Sequence, residues 1–283
     1  MSNKPLAGRK ADSTLIPGYA VVVLWCLFTV VIIGWIVAAS FSTTKAIFAG
    51  KIFSDGFHPE NYIKALITHK VGVYFVNSII YTLTTCFGVI LVSAPAAYIL
   101  ARYAFKGNKL IQNTFVAALG IPAIMIIMPL FALITRLNLT NSRGLLVFLY
   151  ISINMPFTVF FMIAFFQNIS FSFEEAASID GCGPIRTFWV IILPLAQPGI
   201  ITVTIFNFIT VWNEYFMALI FANKTNLRPV AVGLYSMIQS MRYTGDWAGM
   251  FAAVVIVFLP TFLLYIFLSE KIIAGVTSGA IKG

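Results

Sequence analysis

Charge is what this chain lacks most. Only 10% of its 283 residues are Asp, Glu, Lys or Arg, and only 9 are acidic, where a soluble domain carries roughly 25% charged residues. With 60% hydrophobic residues and a mean hydropathy of +0.95, a soluble globular domain is excluded. Histidine is scarce too: the 2 present, His58 and His69, both fall in one polar stretch and form no zinc-ligand spacing. The 3 cysteines, Cys26, Cys86 and Cys182, show no CxxC pattern, which argues against a disulfide framework or a thiolate metal site. There is no GxSxG, no HExxH and no GxxxxGK[ST] phosphate loop. The chain is therefore expected to be no enzyme, to hold no metal and to bind no ATP of its own. Its 18 basic residues give a net charge of +9 but are scattered singly through polar loops. That pattern suits anionic lipid headgroups and does not suit nucleic acid, which calls for a continuous basic face.

What is present is a set of long runs without charge. Ser13–Thr44, Val71–Ala101, Leu110–Thr135, Gly144–Phe173 and Trp247–Ser269 contain no Asp, Glu, Lys or Arg, and Thr187–Asn223 contains one carboxylate. Each exceeds the ~20 residues that cross a hydrocarbon layer. Lipid leaves an unpaired backbone no partner, and continuous apolar runs do not alternate like barrel strands, so an all-α integral membrane protein with six transmembrane helices is expected. The spans are placed at 17–41, 72–101, 110–135, 144–168, 198–221 and 248–269. This divides the chain into a tail (1–16), a first helix with an outer loop (17–71), a five-helix core (72–269) and a second tail (270–283). The first apolar run is too long for the ~7–15 residues of a signal peptide's hydrophobic region and is read as a retained helix. The loop between the first two spans, amphipathic from Pro59, and the loop Phe221–Trp247 read as caps on one side. Charge bias does not orient the bundle, because the 18 basic residues divide evenly between its two sides. No internal repeat or low-complexity tract interrupts the pattern.

Between two of the runs lies Glu174-Glu175-Ala176-Ala177-Ser178-Ile179-Asp180-Gly181-Cys182-Gly183-Pro184. Ser172 followed three residues later by Glu175 has the form of a capping box, which predicts a helix start with two carboxylates at its positive end. Gly181 suits the helix C-terminus, and Pro184 suits the first position of a following helix. Alanines on one face allow close approach by another surface, and glutamates on the other offer ion pairs. A plain interfacial connector would look similar, but the spacing is more specific: Glu175-Ala176-Ala177, three residues, Gly181, nine residues, Ile191, one residue, Leu193-Pro194.

That pattern resembles the signature loop of the permease subunits of bacterial binding-protein-dependent ABC importers. Asn154-Met155-Pro156-Phe157, Trp212-Asn213-Glu214, Pro229–Leu234 and the tail from Ala274 are similar to the carbohydrate-uptake branch, above all to the second permease of maltose-type importers, although Val276 and the region near Pro229 depart from it. The resemblance implies a cytoplasmic coupling helix, in a loop spanning 170–197, that fits a groove on an ATPase. Glu174, Glu175, Ala176, Ala177, Asp180 and Gly181 would carry that coupling. It further implies a heterodimer with a second homologous permease, a cytoplasmic ATPase dimer holding ATP and Mg, and an extracytoplasmic solute-binding protein. The location would be the bacterial cytoplasmic membrane, with both termini cytoplasmic.

One carboxylate, Glu214, falls inside a predicted span, where it costs of the order of 3 kcal/mol unless partnered. At 100° per residue, Thr204, Asn207, Thr210 and Glu214 lie within roughly 120° of one another, a stripe expected to face the bundle interior. Such a stripe is either a hydrogen-bond network between helices or the wall of a solute path. Sugars need carboxylates, amides and aromatic faces together, and Trp212, Asn213, Glu214 and Tyr215 supply them, so the resemblance favours the path. Asn77 and Asn154 are further candidates for it. The predicted spans contain no Lys or Arg, which favours a neutral solute such as an oligosaccharide over the alternatives of glycerol phosphate, a polyamine or an amino acid.

Overall fold

The computed structural model describes residues 15–280, with the backbone alone given at 242 and 271–280. All but the last two residues of the expected N-terminal tail, and 281–283 of the C-terminal one, lie outside the described residues.

Four helices are long and apolar enough to cross a membrane, and two further pairs qualify if each bent pair is counted as one span. Helix α1 (Ile16–Ser40) leads to two short helices, α2 (Thr44–Phe48) and α3 (Glu60–Ile67), before the long α4 (Val71–Arg102). Helices α5 (Asn108–Leu119) and α6 (Ala123–Arg136) come next, then α7 (Arg143–Asn168) and the short α8 (Ser172–Ile179). Helix α9 (Pro184–Thr187) passes through a π-helical turn (Phe188–Ile192) into α10 (Leu193–Leu195), then α11 (Gln197–Trp212) and α12 (Phe216–Phe221). A 3-10 turn (Thr225–Leu227) precedes α13 (Val230–Thr244), and α14 (Trp247–Ala280) closes the chain. The helix ends at 16, 40, 71, 102, 143 and 168 fall within a residue of the sequence reading. The final helix, by contrast, continues to Ala280 through most of what was expected to be a tail.

The centre is built by α4, α7 and α11, which pack against one another, while α1 lies along α14 at the periphery with its most apolar stretch uncovered by protein. In lipid the apolar effect does not bring helices together, so close packing by small residues must. Accordingly Ala94 and Ala97 of α4 are buried against Val159, Met162 and Phe166 of α7 at the Arg102 end. At the other end Tyr81, Leu146, Tyr150 and Phe221 form a second cluster.

Two predicted spans are not straight. The third turns by 96° between α5 and α6, where Gly120-Ile121-Pro122 interrupts the helix. Proline lacks the amide the helix needs and drives the residue before it out of helical geometry. The segment expected to enter the fifth span bends by 74° between Leu195 and Gln197. The fifth span itself is not continuous to 221: α11 stops at Trp212, and α12 restarts at Phe216.

The two loops read as caps meet. Asp246, at the head of α14, lies 2.8 Å from both Lys64 Nζ of α3 and His69 Nε2, and it accepts from the Gly249 amide. Asn61 fixes α3 from behind by donating to the carbonyls of Ser40 and Ser42. Burial pushes the Asp246 carboxyl up, but the hydrogen bonds from Lys64, His69 and Gly249 outweigh it and hold it below its ordinary 3.8. A depressed carboxyl contributes stability that is fully present above its unfolded-state value and is lost as pH falls through the lower folded one. The cap is therefore expected to stay closed through pH 5 and to open only in stronger acid, read as faster amide exchange over 60–68. Asp246→Asn should show fast exchange there already at neutral pH.

Candidate functional site

Helix α8 projects from the end of the bundle where α4 and α7 finish. Its C-terminus is made as the sequence predicts: Gly181 adopts φ +75°, its amide reaches Ser178 O at 3.1 Å, and the Cys182 amide reaches Ala177 O at 2.8 Å. Pro184 then starts α9. The predicted capping box, however, does not form. The Glu175 amide donates to Phe171 O at 3.2 Å, as the Glu174 amide does at 3.1 Å, and the Ser172 hydroxyl pairs with that of Ser170. The helix begins one residue too early for the Ser172 side chain to cap it.

The division of faces also differs from the expectation. Glu174 and Ala177, three residues apart and hence on one side of the helix, are the buried pair, so a glutamate and an alanine share the inner face. Glu174 Oε1 stands 2.8 Å from Nε of Arg102 at the end of α4. Arg102 also donates through Nη2 to Ile169 O at the end of α7, at 2.6 Å, and its guanidinium lies 5.7 Å from the Phe171 ring centroid. A groove of about 510 Å³ runs beside this junction, lined by Tyr98, Tyr103, Phe171 and Glu175 among others. Phe173, Glu175, Ala176, Ile179 and Asp180 are exposed, Ile179 by 86%. Magnitudes identify what holds α8 in place. Burying one alanine methyl contributes about 0.8 kcal/mol, whereas removing one partner of a buried ion pair costs about 3–5 kcal/mol. On the inner face of α8, the Arg102–Glu174 contact is the one whose one-sided loss would cost most.

The second group of candidates lies around the break after α11. Glu214 is half-buried there, outside the helix that was expected to carry it. Its carboxylate accepts from the Tyr150 hydroxyl at 2.6 Å and from the Met217 and Ala218 amides at 2.7 and 3.1 Å, and so caps α12. Oε1 receives one of these bonds and Oε2 two, which leaves acceptor capacity on Oε1. The predicted stripe does not face a single environment. Asn207 is buried and donates to the Thr158 hydroxyl at 3.0 Å, Thr204 is half-buried, and Thr210 is exposed. Trp212 is buried at 2%, stacked on Phe208, with its indole N–H donating to Val257 O. Asn154 donates along its own helix to Tyr150 O. Asn77 holds the turn at 226–228 by donating to the carbonyls of Asn226 and Arg228 while accepting from Arg143. Thr210 and Asn213 are exposed, and Tyr215 beside Glu214 is half-buried, with its ring 5.2 Å from that of Tyr235.

Residues 90–273 match the family described as binding-protein-dependent transport system inner membrane component. This chain belongs to that permease family. The diacetylchitobiose uptake system permease protein NgcG of Streptomyces coelicolor is 32% identical over 93% of this permease and 88% of its own length. The trehalose/maltose transport system permease protein MalG of Thermococcus litoralis is 30% identical over 95% of this permease and 96% of its own length. A crystal structure of a bacterial ABC transporter involved in the import of the acidic polysaccharide alginate covers 93% of this permease and 99% of the matched chain, with a TM-score of 0.77 at 23% identity. That last likeness establishes a shared fold. The permease is thus a membrane-spanning transport subunit of the ABC importer type and not an enzyme.

Sequence reasoning missed two residues of the permease. Arg102 was legible only as a basic residue at the end of a span. Tyr150, the partner of Glu214, sits in an apolar run with nothing local to mark it. The pairs His69–Asp246 and Asn207–Thr158 were likewise invisible, because each joins segments far apart in the chain.

Proposed function

We propose that the permease imports a sugar, an oligosaccharide by the relatives' cargo, as one of two homologous permeases on a cytoplasmic ATPase dimer that binds ATP with Mg. An extracytoplasmic binding protein delivers the sugar to the cap built by α2, α3 and α13. Each bent pair is taken as one span, giving six, with both termini cytoplasmic in the bacterial inner membrane. Helix α8 is the coupling helix. The observation that carries this reading is that α8, tethered through one buried face, presents Phe173, Glu175, Ala176, Ile179 and Asp180 outward at the tip of the bundle, where none of the described side chains covers them. An exposed apolar and acidic helix face of that size suits a groove on a partner.

The mechanism is alternating access. Closure of the ATPase dimer moves α8, Gly181 transmits the movement through a stiff turn into α9, and the bundle turns its cavity outward, with hydrolysis resetting it. Glu174 and Ala177 hold the lever to the bundle while Glu175, Ala176 and Asp180 meet the ATPase. Thr210, Asn213, Glu214 and Tyr215 form the part of the solute path open to cargo, and Asn77, Asn154, Asn207 and Trp212 shape it from behind. The test is ATP-dependent uptake of a labelled sugar panel into vesicles holding both permeases, the ATPase and the binding protein. Uptake of one oligosaccharide is expected; an assembled, ATP-hydrolysing complex that moves no sugar would overturn the cargo assignment.

A further inference from the structure

We propose that Arg102 is the positioning residue through which movement of α8 reaches the transmembrane bundle, an inference that rests on reading α8 as the ATPase-docking helix. One guanidinium joins the ends of three elements. It belongs to the last turn of α4, donates to the Ile169 carbonyl that closes α7, and faces the Glu174 carboxylate of α8, with all of these contacts at 2.8 Å or less. The planar guanidinium thus carries a hydrogen bond to α7 and an ion pair to α8 on different nitrogens held at a fixed spacing, which a lysine ammonium cannot reproduce. The contact is also dry, since the Arg102 and Glu174 side chains are 9% and 11% exposed. Along the chain, α8 follows α7 through the short Ile169–Phe171 link and leads into α9 through the turn at Gly181. It has no short covalent link to α4, and Arg102 is the α4 residue that forms an ion pair with it. Because α4 packs against both α7 and α11 at the bundle centre, force applied to the outer face of α8 enters the core where Arg102 is bound. Tyr98, one turn earlier, packs edge-on against Phe166 and at a tilt against Phe188, which stiffens that entry point.

The arrangement separates two duties within the acidic motif. Glu175 faces outward and serves docking, while Glu174 faces inward and serves transmission. Removing Arg102 should therefore leave the ATPase bound but poorly linked to transport.

The experiment uses the complete importer in vesicles and records three quantities: ATPase retained on purification, ATP hydrolysed, and sugar taken up per ATP. For Arg102→Ala and the nearly isosteric Glu174→Gln, ATPase retention is expected to stay at the parent level while uptake per ATP falls about tenfold, equivalent to roughly 1.4 kcal/mol of coupling. Arg102→Lys should recover part of the loss, as it keeps the charge without the fork. The double exchange Arg102→Glu with Glu174→Arg should recover more than either single exchange. Unchanged uptake per ATP in Arg102→Ala and Glu174→Gln overturns the proposal, as does a fall in uptake that merely tracks lost ATPase. A control on the outer face separates the two readings. If Ala176→Trp sheds the ATPase while the Arg102 variants behave like the parent, this proposal alone is overturned. If Ala176→Trp retains the ATPase in full, the docking reading fails and takes this proposal with it.

Discussion

Gly181→Pro is expected to remove the ATPase from the permease while the bundle stays folded, reducing ATPase retention and sugar uptake together by more than about tenfold. The reason is local. Gly181 sits at φ +75°, in a region proline cannot enter because its ring holds φ near −65°, and the substitution also deletes the amide that bonds Ser178 O. The chain must then leave α8 in another direction. Gly181→Ala provides the graded comparison. An added Cβ meets nothing within 4 Å, so alanine bears only the left-handed backbone cost of about 1–2 kcal/mol and should keep most recruitment. Retention is read by co-purification and bundle integrity by monodispersity in detergent. Full recruitment with Gly181→Pro would show that the direction of the turn does not matter to docking.

Glu214→Ala is expected to reduce uptake by at least about tenfold with ATPase retention unchanged, since Glu214 lies at the opposite end of the bundle from α8. Two effects combine. The substitution orphans the Met217 and Ala218 amides and the Tyr150 hydroxyl, at about 1–3 kcal/mol for each buried group left unmade, and it removes the free acceptor position on Oε1. Glu214→Gln keeps part of the cap, because its single amide oxygen can still take either the Met217 amide or the Ala218 amide with the Tyr150 hydroxyl, while the negative charge is gone. Uptake by Glu214→Gln is expected to fall as far as in Glu214→Ala with a smaller loss of thermal stability, the signature of a solute contact. If Glu214→Gln transports like the parent, Glu214 acts as a helix cap alone and the path must be sought at Thr210, Asn213 and Tyr215. Tyr150→Phe, which removes one donor and leaves the carboxylate, should have the smaller effect.

The features of the candidate site that were legible in the sequence are those set within a few residues. Gly181 and Pro184 mark a turn because positive φ and a missing amide are properties of single residues. The capping box at Ser172 was a local inference of the same kind and failed, because the Phe171 carbonyl takes the Glu174 and Glu175 amides and starts α8 one residue earlier. Glu214 was recognised as costly in lipid and hence as partnered, which holds. Its partner, 64 residues away, and its place in a break between helices were not readable, since neighbouring residues carry no record of how α7 is rotated against α11.

The sequence by itself determined that this protein is an all-helical membrane bundle, that a short acidic helix closed by glycine interrupts it, and that the spacing of that helix places the chain among binding-protein-dependent permeases. Charge-free length, turn chemistry and motif spacing are all local and additive along a chain. Tertiary structure decided where Gly120–Pro122, Ala196 and 213–215 bend the apolar runs, which glutamate of the acidic pair turns inward, and that Arg102, Tyr150 and Asp246 tie distant segments together. Those outcomes depend on how packed helices are rotated against one another, and in a solvent that hydrogen-bonds to nothing, each polar side chain must find its partner on whichever helix packing brings within reach.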